Sequence, residues 1–220
     1  MIIYILRHGI TEWNNIHRIQ GNSDIMLDDL GRKMAVQTGE YIRNSGIHFD
    51  KVFSSPLKRA FETAELVGGG DITVDQRLRE LDFGRQEGQL VEDMLGDESV
   101  PFRFFRPAPE KYDAAMKAEE RGESLTALCE RAAEFLVDKI EQADYGTVLI
   151  AGHGALNKAL LMHIRGEKDI AGFWGDGLSR NCGMDIVSYE RGTGRYSILS
   201  SDNVFYDTSL LAQTTNLLHE

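Results

Sequence analysis

Arg7-His8-Gly9 follows the apolar run Ile2 to Leu6 and joins three residue types suited to phosphate chemistry. Arginine offers a planar fork of donors that matches phosphoryl oxygens. Histidine carries a ring nitrogen that attacks phosphorus or moves a proton. Glycine clears the side-chain bulk that would keep a substrate away from the backbone. Three further residues complete a set: Arg59, Glu80, and His153 between Gly152 and Gly154. Arginines beside a histidine disfavour its protonation and leave it nucleophilic. The same cations stabilise charge on the equatorial oxygens of a phosphoryl group in transfer. A leaving alkoxide needs a proton, and a carboxylic acid supplies it; the carboxylate left behind can then activate water. Asp82 competes with Glu80 for that role, because residues two apart on an extended segment share a face. The Glu-x-x-x-Gly spacing from Glu80 to Gly84 favours Glu80.

These residues must be carried by elements that bring them together. Ile2 to Leu6 reads as a strand covered on both faces, and Lys51 to Ser54 and Thr147 to Ala151 as further strands. Asp28-Asp29-Leu30-Gly31 opens a helix that runs to about Arg43 and stops near Ser45-Gly46. Ser55 and Pro56 read as the cap and first residue of a helix carrying Leu57, Phe61 and Ala64 on one face, closed by Gly68-Gly69-Gly70. Ile72 to Val74 and Leu78 to Phe83 look extended. A helix from about Glu123 carries Leu125, Leu128, Ala132, Phe135 and Ile140 at helical spacing. Another follows His153 from Ala155 to Ile164, and Asp185 to Tyr189 with Tyr196 to Leu199 form a terminal hairpin. The alternation predicts an α/β fold, in which ligands sit beyond the carboxyl ends of the strands. Arg7, His8, Arg59 and His153 all follow strands, so a shared parallel sheet gathers them at one rim. Gln89 to Gly122 breaks the pattern with Pro101, Pro107, Pro109 and the aromatics Phe102, Phe104, Phe105 and Tyr112. It reads as a largely helical excursion over the pocket within a single domain spanning 1–220.

The 220 residues suffice for one domain with a full core. No run of about 18 apolar residues is present to span a membrane, and no leader-like basic and apolar segment opens the chain. The net charge of −11 argues against nucleic-acid or acidic-membrane partners. An anionic substrate would then need a local basic pocket. Cys129 and Cys182 are expected as free thiols in a reducing cytoplasm, a disulfide being possible but unneeded. Cys182 has no basic neighbour in sequence, which disfavours a nucleophilic role. Two arginines would repel a divalent cation, and no His-Glu-x-x-His or Cys/His cluster is present, so no metal is expected. His17, His48, His163 and His219 lack a partner pattern and are expected as structural or surface residues.

The chain resembles the histidine phosphatase superfamily, the phosphoglycerate mutase-like family. The blocks that carry the resemblance are Leu6 to Asn14, Arg18 to Gly21, Leu27 to Gly31 and Ser54 to Ala64, followed by Leu78-Arg79-Glu80 with Phe83-Gly84 and Glu87-Gly88, Gly122-Glu123-Ser124, and Gly152-His153-Gly154. The resemblance implies a three-layer α/β/α sandwich around a mostly parallel sheet. It also implies that His8 forms a phosphohistidine, that Arg7, Arg59 and His153 hold the phosphoryl group, and that Glu80 is the proton donor. Asn14, Gln20 and Gly21, with Thr11 and Gly154, are expected to bind substrate. No cofactor is implied, and the expected partner is a small phosphorylated metabolite met by a monomer or homodimer.

The family contains phosphatases and 2,3-bisphosphoglycerate-dependent mutases. By the same resemblance, mutases place a tyrosine where Phe83 stands, a lysine soon after, and an adjacent arginine pair. Here Gln86 to Phe102 holds no lysine or arginine, and the pair is echoed only by Arg103 and Arg106, split by Phe104-Phe105. Phosphomonoester hydrolysis is therefore expected over mutase activity, though Pro107 and Pro109 after Arg106 keep the mutase reading open. A non-catalytic phospho-ligand binder would have lost one of Arg7, His8, Arg59 or His153, and none is lost. Phe102 to Tyr112 and Phe173-Trp174 either wall a pocket for an organic leaving group or pack as ordinary core.

Overall fold

The computed structural model describes residues 1–119 and 122–213, so His219 lies outside the described residues. In chain order, the strand β1 (Ile2–Arg7) leads through the short helix α1 (Glu12–Asn15) to α2 (Asp29–Asn44). Then come β2 (Lys51–Ser54), α3 (Lys58–Val67) and β3 (Ile72–Val74). The excursion holds α4 (Val91–Gly96), a 3₁₀ turn at Pro101–Phe104 and α5 (Pro109–Met116). α6 (Leu125–Phe135), β4 (Thr147–Gly152), α7 (Gly154–Arg165), β5 (Met184–Glu190) and β6 (Arg195–Asn203) follow.

The six strands form one sheet in the order β3-β2-β4-β1-β5-β6. β1, β2, β3 and β4 run parallel, and the β5–β6 hairpin adds antiparallel to β1. Because strand side chains alternate, each face acquires its own core. Ile3, Ile5, Phe53, Val148 and Ile150 pack with Leu128 and Phe135 of α6 and Leu156 and Leu160 of α7. Tyr4, Leu6, Val52, Leu149 and Ala151 pack on the opposite face with Met34 and Ile42 of α2 and Ala64 and Val67 of α3. The expected three-layer α/β/α arrangement is the one observed.

Local departures have identifiable causes. α3 begins at Lys58 rather than Pro56, with Leu57 as its N-cap residue. The Ser55 hydroxyl accepts the Leu57 N–H at 3.3 Å and also bonds across the sheet, so it does not cap the helix proper. The stretch after Leu78 is irregular rather than a strand: a 3₁₀ turn covers Gln76–Leu78 and no ladder follows. Its backbone is satisfied from α6 instead. Arg131 donates to the carbonyls of Arg77 (2.6 Å), Arg79 (2.7 Å) and Glu80 (3.0 Å) while pairing with Glu123 at 2.7 Å. α6 itself starts at Leu125, capped by Ser124, and widens into a π turn over Leu136–Glu141. Among the described residues no helix is long and apolar enough to cross a membrane.

The loop after β1 is pressed against the start of α2, where Asp28 caps the helix by accepting from the Gly31 N–H at 2.7 Å. A Cβ on Gly9 would stand 2.7 Å from the Gly31 carbonyl oxygen, and one on Gly31 would overlap the Ile10 carbonyl. Both atoms are backbone and cannot swing aside. Gly31→Ala is therefore expected to destabilise the fold by about 1–3 kcal/mol, measured as a lower urea midpoint at unchanged slope.

Candidate active site

Arg7 and His8 leave the end of β1 at the middle of the sheet, between β4 and β5. Arg7 is buried, and its Nη1 donates to the Ser179 carbonyl at 2.6 Å. His8 is 3% exposed, and its Nδ1 lies 2.6 Å from the Gly9 carbonyl oxygen. A carbonyl oxygen only accepts, so the proton sits on Nδ1 and Nε2 keeps its lone pair. Asn181 pins this turn by donating from Nδ2 to the His8 carbonyl at 3.0 Å and the Gly9 carbonyl at 3.3 Å. From the first turn of α3, Arg59 is 0% exposed. Its two terminal nitrogens donate to the Ser23 and Gly21 carbonyls at 2.7 and 2.6 Å. Neither guanidinium has a carboxylate partner within ion-pair distance among the described residues, and the buried Nε atoms of both lack a hydrogen bond. Two buried cations with donors unspent form a receptor for an oxyanion.

His153 caps the start of α7 behind His8, the ring centroids 5.2 Å apart. Its Nε2 bonds the Ser55 hydroxyl at 2.8 Å, and its Nδ1 is buried without a partner. Burial, with Arg59 and then Arg7, holds His8 well below the usual histidine range. Burial, Arg59 and His8 do the same to His153. Burial also brings Arg59 down to about 10. Both rings are thus neutral, and both arginines charged, at neutral pH.

Glu80 is 9% exposed and turns its carboxylate to the N-terminus of α7. Oε1 accepts from Leu156 N at 3.0 Å and Leu81 N at 2.9 Å, and Oε2 accepts from Ala155 N at 3.2 Å. Asp82 instead caps the turn at Gly84, accepting its N–H at 2.7 Å, and does not line the cavity. Of the two acids, only Glu80 lines the cavity.

These groups face a cavity of about 610 Å³. Arg7, His8, Arg59, Glu80, Asn14, Gln20, Gly21 and Gly154 all line it. Thr11 does not, and His153 lies behind the wall. Thr11 is drawn inward as the N-cap of α1: its hydroxyl accepts the Asn14 N–H, and Asn14 Oδ1 returns to the Thr11 N–H at 3.1 Å. Of Arg103 and Arg106, only Arg106 lines the cavity; Arg103 sits 4.0 Å from Glu98 and covers the Phe104 ring. His17, read from sequence as structural or surface, is part of the cavity wall, with a φ of 53° just after α1. Arg18 also lines the wall, donates to the Gly88 carbonyl and lies over the Trp13 ring. Glu87 is a further residue whose position in sequence gave no role. It accepts from Asn22 N and the Ser23 hydroxyl, both at 2.7 Å, and so braces the loop whose carbonyls hold Arg59. Cys182 is buried and its thiol is pushed up by burial, as befits a packed residue; Cys129 is half-buried, its thiol pushed up to about 12.

Known proteins are similar to this chain over most of its length. A probable phosphoglycerate mutase, GpmB, of Salmonella arizonae is 34% identical over 193 residues, covering 86% of this chain and 85% of that protein. Among solved structures, Bacillus stearothermophilus YhfR matches with a TM-score of 0.80 at 29% identity, over 92% of this chain and 97% of that one. Phosphoserine phosphatase from Entamoeba histolytica, in complex with 3-phosphoglyceric acid, matches with a TM-score of 0.75 at 25% identity, over 92% and 96%. The model of the histidine phosphatase superfamily (branch 1) matches residues 3–201. The chain belongs to this superfamily and is an enzyme of that family.

Proposed function

We propose that the protein hydrolyses monophosphate esters of small metabolites through a phosphohistidine at His8. The observation that carries this reading is the bond from His8 Nδ1 to the Gly9 carbonyl, which fixes the nucleophilic tautomer between two guanidinium groups without a carboxylate partner among the described residues. In the first step the Nε2 lone pair attacks phosphorus, the ester P–O bond breaks, and Glu80 gives its proton to the departing alkoxide. In the second, Glu80 as carboxylate takes a proton from water, which attacks phosphorus and breaks the P–N bond. Phosphate leaves and the lone pair returns to Nε2. Arg7 and Arg59 hold the equatorial oxygens in both steps, and Asn14, Gln20, Gly21 and Gly154 line the path of the alcohol; His153, which the resemblance adds to the phosphoryl grip, stands behind the wall against His8 and supports that ring. Thr11 acts on this path only through Asn14. The chemistry calls for no metal or organic cofactor, since fixed guanidinium charge neutralises the phosphoryl oxygens.

The name of the Salmonella relative and the presence of Arg106 in the cavity favour a second reading, a phosphoglycerate mutase. A mutase must grip a carboxylate-bearing acceptor while its hydroxyl meets the phosphohistidine. Arg103, turned toward Glu98, does not join Arg106 in such a grip, and Phe83 offers no hydroxyl. Transfer to water is therefore the preferred outcome. A cytoplasmic setting fits the two cysteines, which form no disulfide.

Brief incubation with a labelled phosphomonoester should leave acid-labile, base-stable label on the protein and none on His8→Ala; label that persists in the variant reassigns the nucleophile. Glu80→Gln should slow alkyl phosphates about 10²- to 10⁴-fold and aryl phosphates far less, whose leaving groups need little protonation. Equal losses would deny Glu80 the proton. Since both buried histidines hold fewer protons folded than unfolded, their contribution to stability is complete above pH 6.5 and is lost as pH falls through the folded values. Urea unfolding between pH 7.5 and about 5.5 should show a loss of up to roughly 1.4 kcal/mol per pH unit for each histidine, reduced in His8→Ala. The acid limb of kcat/KM should likewise lie well below pH 6.5.

A further inference from the structure

We infer that the leaving-group half of the cavity is built for a large, uncharged, predominantly apolar alcohol, so that the substrates are bulky apolar monophosphate esters rather than compact phosphorylated acids. This deepens the hydrolase reading and rests on it. At about 610 Å³ the cavity falls in the range of roughly 300–1,000 Å³ that holds drug-sized ligands, far more than a phosphoryl group with three carbons fills.

The residues lining the space beyond His8 give the chemical class. Phe83, Phe102, Phe105 and Trp174 form a connected aromatic wall, with Phe105 5.0 Å from Phe83, 5.2 Å from Phe102 and 4.7 Å from Trp174 between ring centroids. The one polar atom of this wall is spent: Trp174 Nε1 donates to the Phe105 carbonyl at 2.6 Å. Leu178 continues the wall beside Gly154, and Leu95 of α4 stands at the mouth, 48% exposed. Arg106 apart, the charges are placed against an anionic alcohol. Exposed Glu92 sits at the mouth, no lysine lines the cavity among the described residues, and Arg18 is drawn to the Gly88 carbonyl. Arg106 lies over the Trp174 ring, 5.9 Å from its centroid, and its charge also adds to the positive field at Arg7. A glycerate or serine carboxylate would therefore leave water for apolar walls and an acidic mouth. A chain or ring system would instead bury apolar surface against those walls.

A homologous series of n-alkyl phosphates, propyl to octyl, keeps the leaving-group chemistry nearly constant while the buried area grows. kcat/KM is expected to rise about fourfold per methylene until the cage is filled, with 3-phosphoglycerate and phosphoserine below the propyl ester. Leu95→Asp or Leu178→Asp should lower the octyl-to-propyl ratio by about tenfold. A flat series, a compact acid outrunning the octyl ester, or a ratio moved by neither variant overturns the inference. Calorimetric binding of the same esters to His8→Ala reads the gradient without turnover. A steep affinity gradient with no hydrolysis in the intact enzyme supports the apolar cage while sinking only the hydrolase reading; a flat affinity gradient sinks the cage whatever the turnover.

Discussion

The whole site depends on burying two guanidinium groups that, among the described residues, have no carboxylate within ion-pair distance. A buried cation left to itself costs several kcal/mol, and the usual remedy is an acid within ion-pair distance. Here Arg59 is held by the Gly21 and Ser23 carbonyls and Arg7 by the Ser179 carbonyl. Carbonyl dipoles soften the desolvation cost without cancelling the charge. A dianion entering the cavity would therefore meet two guanidinium groups that, among the described residues, have no carboxylate within ion-pair distance. The neutrality of His8 and His153 belongs to the same arrangement, because burial first, and then the field of the arginines, keeps a proton off the rings.

Holding arginines by carbonyls demands that loops be stiff. The Gly21–Ser23 loop is tied by Glu87, and Arg79 donates to the Asn22 side chain at 3.0 Å. Gly21 sits at a φ of 50°, where a side chain would be strained and would overlap the Glu87 carboxylate. Glu87 also accepts the Phe83 N–H at 3.3 Å, which joins the phosphate grip to the first wall of the leaving-group space. Position of charge and shape of cavity are thus set by one acid that touches neither phosphate nor alcohol.

Much of the site was legible in the sequence because strand ends and short blocks carry it. The apolar runs of β1 and β4 mark central strands, and the residues at their carboxyl ends, Arg7-His8 and His153, reach the site by topology alone. The cap at Asp28 and the hairpin through Gly192 to Gly194 obey local chemistry and appear where that chemistry puts them. Other features answer to distant partners. Leu78 to Phe83 look extended by pattern, yet Arg131 of α6 takes the Arg79 and Glu80 carbonyls and no ladder forms. Thr11 is adjacent to the site in sequence but turns inward to cap α1. Arg103 and Arg106 are three residues apart, and only the packing of Phe102 and Phe105 against Phe83 and Trp174 decides which of them faces the cavity. His17 reaches the wall through a left-handed turn that no spacing rule announces.

The central position of β1 has a consequence for how the molecule comes into being. Its partners are β4, pairing Ile2 with Thr147, and β5, pairing Ile2 with Ser188. The residues that open the chain therefore wait for contacts among the most distant in sequence that the fold contains, and topology of this kind slows folding. During synthesis Arg7 and His8 emerge before the other residues of the site and acquire their surroundings last. The phosphate receptor is thus a property of the closed sheet, and no nascent fragment ending before β5 can carry its complete form.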